Sequence, residues 1–301
     1  MVVKASRLCY NNKTWDLKGG SALTLSFLEL LKVIFLGIVE GVTEWLPVSS
    51  TGHMLLVDEF LRIDASEAFK EMFFVVIQLG AILAVVVLFW DQLWPFGRKP
   101  QGGICVKQNT ISLWLKVIAA CIPGAVAAVL LDDYVDAHFT TPAVIAGALI
   151  LYGLGFLLVE NWNRGRKPRV ETLEEISYAD ALGIGLFQVL SIVPGTSRSG
   201  ACIIGALILG VARPAAARFT FHLAVPVMFG LSLLKLLKFG LHFTGAELMI
   251  LLVGCLVAFA VSMLVIRGLM NYIRKHGFEV FGYYRIVLGI IILVYFAVAA
   301  R

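Results

Sequence analysis

Apolar and polar positions along this chain alternate in long blocks, not with the short periods of soluble helices or strands. Six blocks are long and apolar enough to cross a membrane: Phe73 to Trp90, Ile111 to Leu131, Pro142 to Val159, Phe219 to Leu237, Leu248 to Ile266 and Ile286 to Ala300. Polar side chains inside them are few, chiefly Gln78, Lys116, His222 and Lys235. Two further apolar blocks break off midway. Leu25 to Trp45 carries Glu29, Lys32, Glu40 and Glu44, runs into Pro47 and Gly52, and resumes as Met54 to Leu61, a piece too short to span. Leu182 to Gly210 is broken in the same way at Pro194-Gly195. Each predicts a re-entrant helical hairpin, because such a break is tolerated at membrane depth only where protein or a water-filled cavity surrounds it.

The order is hairpin and three spans, then hairpin and three spans. Arg98, Lys99 and Lys107 follow the first span, Arg164, Arg166, Lys167 and Arg169 the third, and Arg267, Arg274, Lys275 and Arg285 lie between the last two. Asp132, Asp133 and Asp136 follow the second span, on the opposite side. Placing the basic loops in the cytoplasm satisfies all of these together. An odd number of spans then separates the hairpins, so one enters from outside and the other from inside. The predicted fold is an all-α polytopic membrane protein, six transmembrane helices plus two re-entrant hairpins in an inverted-topology repeat of about residues 25–160 and 178–301.

Composition narrows the class. The chain is 59% hydrophobic and 15% charged, with a mean hydropathy of +0.89, which excludes an ordinary soluble domain. The net charge of +5 reads as membrane topology, and no nucleic-acid partner is expected. Cys9, Cys105, Cys121, Cys202 and Cys255 are scattered without disulfide or zinc spacing. Residues 1–24 form a polar extension, native or added by cloning, with no apolar core and cleavage site of a signal peptide. Trp90, Trp94 and Trp162 are expected at the membrane interfaces.

The chemistry concentrates at the two breaks. Aligned on Gly37 and Gly185, Glu40 falls on Gln188, Ser49 on Ser197, Ser50 on Arg198, Thr51 on Ser199 and Gly52 on Gly200. Glu40 and Glu44 are four residues apart, hence on one helical face. Buried carboxylates beside a break in an apolar block suit a divalent cation, or the deprotonation of a nucleophile. Ser49, Ser50, Thr51 and His53 stand at a predicted helix N-terminus, where N–H groups and the helix dipole favour phosphate. Plain N-capping is the bland alternative for the serines. Arg198, in Pro194-Gly-Thr-Ser-Arg-Ser-Gly200, opens the other half-helix and supplies a bidentate fork for phosphate oxygens, with Ser197, Ser199 and Gly200 beside it. A salt bridge from Arg198 to Glu40 or Glu44 is the structural alternative, and the two are compatible. Gln188 is expected as a supporting hydrogen-bond partner.

These residues resemble a known family. Glu40-Gly-Val-Thr-Glu-Trp-Leu-Pro-Val-Ser-Ser-Thr-Gly-His53 and Pro194-Gly-Thr-Ser-Arg-Ser-Gly200 are similar to the two signatures of bacterial undecaprenyl-diphosphate phosphatases, the bacitracin-resistance proteins. Val75-Val-Ile-Gln78-Leu-Gly80 and Ala224-Val-Pro226 share in the likeness, which runs from about Leu25 to the end. One position departs: Cys202 stands where the second signature usually has a threonine. The resemblance implies an enzyme of the bacterial cytoplasmic membrane that removes the terminal phosphate of undecaprenyl diphosphate and so recycles the carrier lipid of peptidoglycan synthesis. It further implies a divalent cation, magnesium or calcium, and catalytic roles for Glu40, Glu44, Ser50, His53, Ser197 and Arg198.

The expected reaction is therefore phosphoryl transfer from a polyprenyl diphosphate lipid. A cation on Glu40 and Glu44, together with Arg198, neutralises the phosphoryl oxygens, while Ser50, prepared by His53 or Glu44, attacks in line. Attack by His53 or by water stays open, as do a homodimer and the prenyl-chain preference. The site is expected to open to the periplasmic or extracellular side. The rival reading is a carrier that flips a polyprenyl phosphate lipid, since inverted repeats with broken helices also build transporters.

Overall fold

The computed structural model describes residues 26–98, 103–240 and 242–299, with the side chains of 132, 133 and 136 outside the description. The N-terminal extension and Lys99 also lie outside it. Among the described residues the regular structure is helical apart from one small hairpin and a single bridge between Val170 and Val211. Helix α1 spans Phe27–Thr43, α2 Ser50–Phe60, α3 Glu67–Val76, α4 Gln78–Leu88 and α5 Trp90–Leu93. Strands β1 (Phe96–Arg98) and β2 (Ile104–Val106) then pair antiparallel, with Phe96 opposite Val106, and were not foreseen in an all-α chain. Helices α6 (Gln108–His138), α7 (Pro142–Asn163), α8 (Tyr178–Val189), α9 (Arg198–Ile208), α10 (Arg213–Phe239), α11 (Gly245–Tyr272) and α12 (Glu279–Ala299) follow.

Local chemistry explains the starts and stops. Ser66 and Thr141 cap α3 and α7 through their side chains, and α7 opens on Pro142, whose missing N–H costs nothing there. Reciprocal capping boxes start α8 (Ser177 with Asp180) and α11 (Thr244 with Glu247). Gly240, at φ 94°, takes the left-handed turn that ends α10.

Among the described residues, six helical segments are long and apolar enough to cross a membrane: Glu67–Leu88, Gln108–Leu131, Pro142–Asn163, Arg213–Phe239, Gly245–Tyr272 and Glu279–Ala299. Each contains or overlaps one of the six predicted spans, and the boundaries bring corrections. The first segment is α3 and α4 joined through a break at Ile77, so it starts earlier than Phe73. Residues 132–136 continue α6 instead of forming an acidic loop. The largest correction concerns Arg285. It belongs to α12, not to a basic loop, and is wholly buried. A helix beginning at Glu279 carries it inward, whereas the hydropathy reading started the last span only at Ile286.

Glycines set the close crossings. A methyl at Gly37 would lie 2.9 Å from Val257 Cβ, so α1 presses on α11. One at Gly185, its repeat-mate, would collide with the Ala120 carbonyl, so α8 presses on α6. Thus the first short helix of each half packs against the second long span of the other half: α1 on α11, α8 on α6. Helices α7 and α12 cross reciprocally, with Gly153 against the Gly282 carbonyl and Gly282 against the Gly153 carbonyl, each at 2.8 Å for an added methyl.

Trp90 and Trp94 stack with centroids 4.9 Å apart and stay largely exposed, and Arg166 lies over the exposed Trp162 ring at 4.8 Å. In the loop before α8, the exposed Glu175 carboxylate accepts the Glu171 N–H at 2.8 Å and the Thr172 N–H at 3.4 Å. Those bonds hold its pKa below the usual carboxylate value.

Candidate active site

The two breaks meet in the interior. α1 ends one turn after Glu40, and Glu44, its C-cap, hands its own N–H back to the Glu40 carbonyl at 3.0 Å. Both carboxylates are buried. The chain then turns through Pro47 to Ser49, which caps α2 by accepting the Gly52 N–H at 3.4 Å. In the second half Ser197 caps α9 by accepting the Gly200 N–H at 3.1 Å. Ser49 (φ 73°) and Ser197 (φ 71°) are the two non-glycine residues with positive φ among the described residues. The alignment of these serines, drawn from sequence, is matched by an identical rare backbone state. Such a state costs roughly 1–3 kcal/mol and persists only when its surroundings impose it.

Ser50 and Arg198, the residues after the two strained serines, meet on Glu44. Ser50 Oγ donates to Glu44 Oε2 at 2.9 Å, and Arg198 Nη2 donates to Glu44 Oε1 at 2.9 Å. Ser199 Oγ donates to the Glu44 carbonyl at 3.4 Å, adding a second tie between the halves. Arg198 is completed by the Thr220 carbonyl at 3.4 Å and Met228 Sδ at 3.2 Å, both from α10. One carboxylate thus bridges a hydroxyl from one break and a guanidinium from the other.

Glu40 is different. It is buried, and its Oε1 has no hydrogen-bond partner. A buried, unpaired carboxylate oxygen is costly unless a cation or a bound group completes it. Among the described residues no group of three or more His, Cys, Asp or Glu gathers as a metal cage. Two carboxylates still fit a magnesium-type ion, which commonly takes one or two protein carboxylates and draws its other ligands from water and substrate phosphates.

His53 does not approach Ser50 as its base. Its Nδ1 lies 2.8 Å from the Ser49 carbonyl, and since a carbonyl only accepts, that nitrogen carries the proton. Nε2 is then the acceptor, and it receives the Tyr284 hydroxyl at 2.7 Å, the two rings being stacked 5° from parallel. Ser50 is paired with Glu44 instead.

The remaining predicted residues sit near this core with different partners. Ser197 and Ser199 share a hydroxyl contact at 3.2 Å. Gly200 lies close against Arg285, whose Nη1 would be 3.1 Å from an added methyl. Thr51 lies half-buried in the first turn of α2. Gln188 faces Cys202, whose Sγ is 3.9 Å from Gln188 Oε1, and crowds Gly124 on α6. Its contacts therefore run to the helix packing behind the site, where Cys202 supplies a weak donor.

Sequence reasoning missed the contribution of α12. Tyr284 reaches His53, and Arg285 donates to carbonyls at both breaks: Pro47 at 3.2 Å, Gly195 at 2.9 Å and Thr196 at 2.8 Å. The signal existed, because Arg285 directly precedes the uncharged run Ile286 to Ala300, where an arginine begs a partner.

A family model described as bacitracin resistance protein BacA matches residues 33–291, which take in both breaks and both α12 side chains. The chain belongs to that family. It is 63% identical over 276 residues to an undecaprenyl-diphosphatase of Enterococcus faecalis, covering 92% of this chain and 100% of that protein. It is 57% identical over 274 residues to one of Desulfitobacterium hafniense (91% and 98% covered). Undecaprenyl-diphosphatase 1 of Clostridium acetobutylicum is 54% identical over 275 residues (91% and 100% covered).

Proposed function

We propose that this membrane protein hydrolyses undecaprenyl diphosphate to undecaprenyl phosphate and inorganic phosphate, returning the lipid carrier to peptidoglycan synthesis. The observation that carries the reading is the Ser50–Glu44–Arg198 junction: a nucleophile, its proton acceptor and a phosphate-binding cation, contributed by two breaks in one chain. The relatives' shared name supplies the substrate. Both pairs of short helices are read as re-entrant hairpins of an inverted-topology repeat. The matched serine turns, and the positions of Gly37 and Gly185 in their crossings, support that reading.

In the proposed reaction Ser50 Oγ attacks the terminal phosphorus in line, and Glu44 Oε2 takes the hydroxyl proton. The new Oγ–P bond forms as the bridging P–O bond breaks, and undecaprenyl phosphate leaves with the bond's electron pair. Water then attacks the phosphoserine, releasing inorganic phosphate and regenerating the hydroxyl. Arg198 exchanges its bond to Glu44 for the phosphoryl oxygens, which frees the carboxylate at the moment it is needed as a base. The N–H groups opening α2 and α9 face the same anionic group. A divalent cation on Glu40 and Glu44, magnesium or calcium, would neutralise charge on the diphosphate. His53, held by Tyr284 and the Ser49 carbonyl, is placed to orient Ser49 and the start of α2 rather than to activate Ser50.

All of these groups come from one chain, so the site needs no second copy to complete it. With the basic loops in the cytoplasm of a bacterial cell, the first hairpin opens outward and the substrate enters from the periplasmic or extracellular side. Two experiments test the reading. In quenched turnover with labelled substrate, phosphate is expected on Ser50 and not on Ser50→Ala, and a variant that keeps full turnover would remove Ser50 from the chemistry. An impermeant thiol reagent added outside is expected to label Ser50→Cys in a background lacking Cys9, Cys105, Cys121, Cys202 and Cys255. Labelling only from the cytoplasmic side would reverse the topology.

A further inference from the structure

Arg285 is the most unusual buried side chain in the molecule. It is 0% exposed, and among the described residues it forms no ion pair with a carboxylate. A buried cation without an acid is expensive unless its donors are all used. Here they end on main-chain carbonyls: Leu149 at 3.5 Å, Pro47 at 3.2 Å, Gly195 at 2.9 Å and Thr196 at 2.8 Å. The Tyr152 ring, 5.7 Å from the guanidinium carbon, covers one face.

The choice of carbonyls is informative. Pro47, Gly195 and Thr196 lie where α1 and α8 have ended and their carbonyls have lost helical partners. Pro47 stands two residues before the strained Ser49, and Thr196 immediately before the strained Ser197. One rigid fork therefore holds the entry to both serine turns, and these turns in turn aim Ser50 and Arg198. Serine capping satisfies each turn separately, whereas Arg285 bonds to main-chain carbonyls of both. Its charge also faces the starts of α2 and α9, where it adds to the two helix dipoles without an acid to cancel it.

We propose that Arg285 is a positioning residue that locks the two breaks in register, so that Ser50 and Arg198 act on one phosphoryl group. The guanidinium is required for its planar set of donors, which an ammonium cannot spread over carbonyls from two segments. This rests on the phosphatase reading, and the experiment separates the two.

Phosphate release from a long-chain prenyl diphosphate is measured for the wild type, Arg285→Lys, Arg285→Gln and Arg285→Ala, with thermal unfolding of each in the same detergent. Binding of a non-hydrolysable methylene-bridged prenyl diphosphonate is measured in parallel. For the folded Arg285→Lys protein, kcat is expected to fall about a hundredfold with KM and analogue affinity within about threefold, the signature of misaligned reacting groups. Arg285→Gln is expected to fall at least as far, and added guanidinium ion to restore part of the rate to Arg285→Ala. A folded Arg285→Lys with wild-type kcat overturns the proposal. So does loss of activity that tracks loss of folded protein in every variant, which would leave Arg285 a purely structural residue. A wild type that releases no phosphate overturns the phosphatase reading instead.

Discussion

The junction of α7, α10 and α12 offers a sharp test of how the fold supports the site. Glu160 on α7 has a side chain that is 0% exposed. It accepts Arg213 Nε through both oxygens, at 2.9 and 3.0 Å, and also pairs with Arg213 Nη2. Its Oε1 further accepts the Phe278 N–H at 2.8 Å, just before α12 begins. The two partners are not equally buried, since the Arg213 side chain is 36% exposed. Removing the acid leaves a cation that can turn to water; removing the base leaves a carboxylate that cannot. Breaking a buried pair by deleting one partner costs roughly 3–5 kcal/mol, and Arg213→Ala should reach that range. Glu160→Gln keeps an acceptor for the Phe278 N–H and leaves only the partly solvated arginine, so it should cost about 1–2 kcal/mol. Glu160→Ala also orphans the Phe278 N–H and should lie between them. Thermal unfolding in detergent would resolve these, at about 2–4 °C per kcal/mol. The double variant Glu160→Gln with Arg213→Gln should be less destabilised than Arg213→Ala alone. Equal losses for Glu160→Gln and Arg213→Ala, or no loss for either, would refute the reasoning.

Other consequences are as direct. Glu44→Gln should lower phosphate release by about a hundred- to ten-thousandfold, because Ser50 loses its proton acceptor, and turnover within tenfold of wild type would assign the base elsewhere. Ser197→Ala should destabilise by about 1 kcal/mol through loss of the cap, whereas Ser197→Gly relieves the positive φ and should stay close to the wild type; unfolding midpoints in the opposite order would contradict the strain. Gly80→Ala would drive its methyl into the Cys255 carbonyl and should cost about 1–3 kcal/mol, while Gly147→Ala meets nothing within 4 Å and should be neutral by the same unfolding assay.

The spans were legible because length and apolarity decide them: hydrocarbon thickness leaves few alternatives to a twenty-residue helix. The breaks were legible because Pro47 and Pro194-Gly195 interrupt apolar blocks beside clustered charged and hydroxyl residues, whereas Pro123 and Pro226, in uninterrupted apolar runs, are carried inside α6 and α10. The site's main residues followed from the cost of Glu40, Glu44 and Arg198 at that depth. Pairing was not legible. His53 is nearer to Ser50 in sequence than Glu44 is, yet the fold turns the imidazole to Tyr284 and the carboxylate to Ser50. Arg285 was misread because span boundaries are drawn from hydropathy, and a buried arginine at a helix start looks the same as a loop charge. Glu160 and Arg213 escaped for the same reason, lying at the ends of apolar blocks where charges are ordinarily solvated.

The central claim is that two breaks from opposite halves of one chain make a single phosphatase site. The most direct measurement is phosphate release from a purified, detergent-solubilised sample given a long-chain prenyl diphosphate, with and without a chelator, beside Glu44→Gln and Arg198→Ala. The account predicts metal-dependent release in the wild type and its loss in both variants while each remains folded. Release that survives removal of Arg198 would separate the second break from the chemistry, and a folded wild type that releases no phosphate with any divalent metal would contradict the account outright.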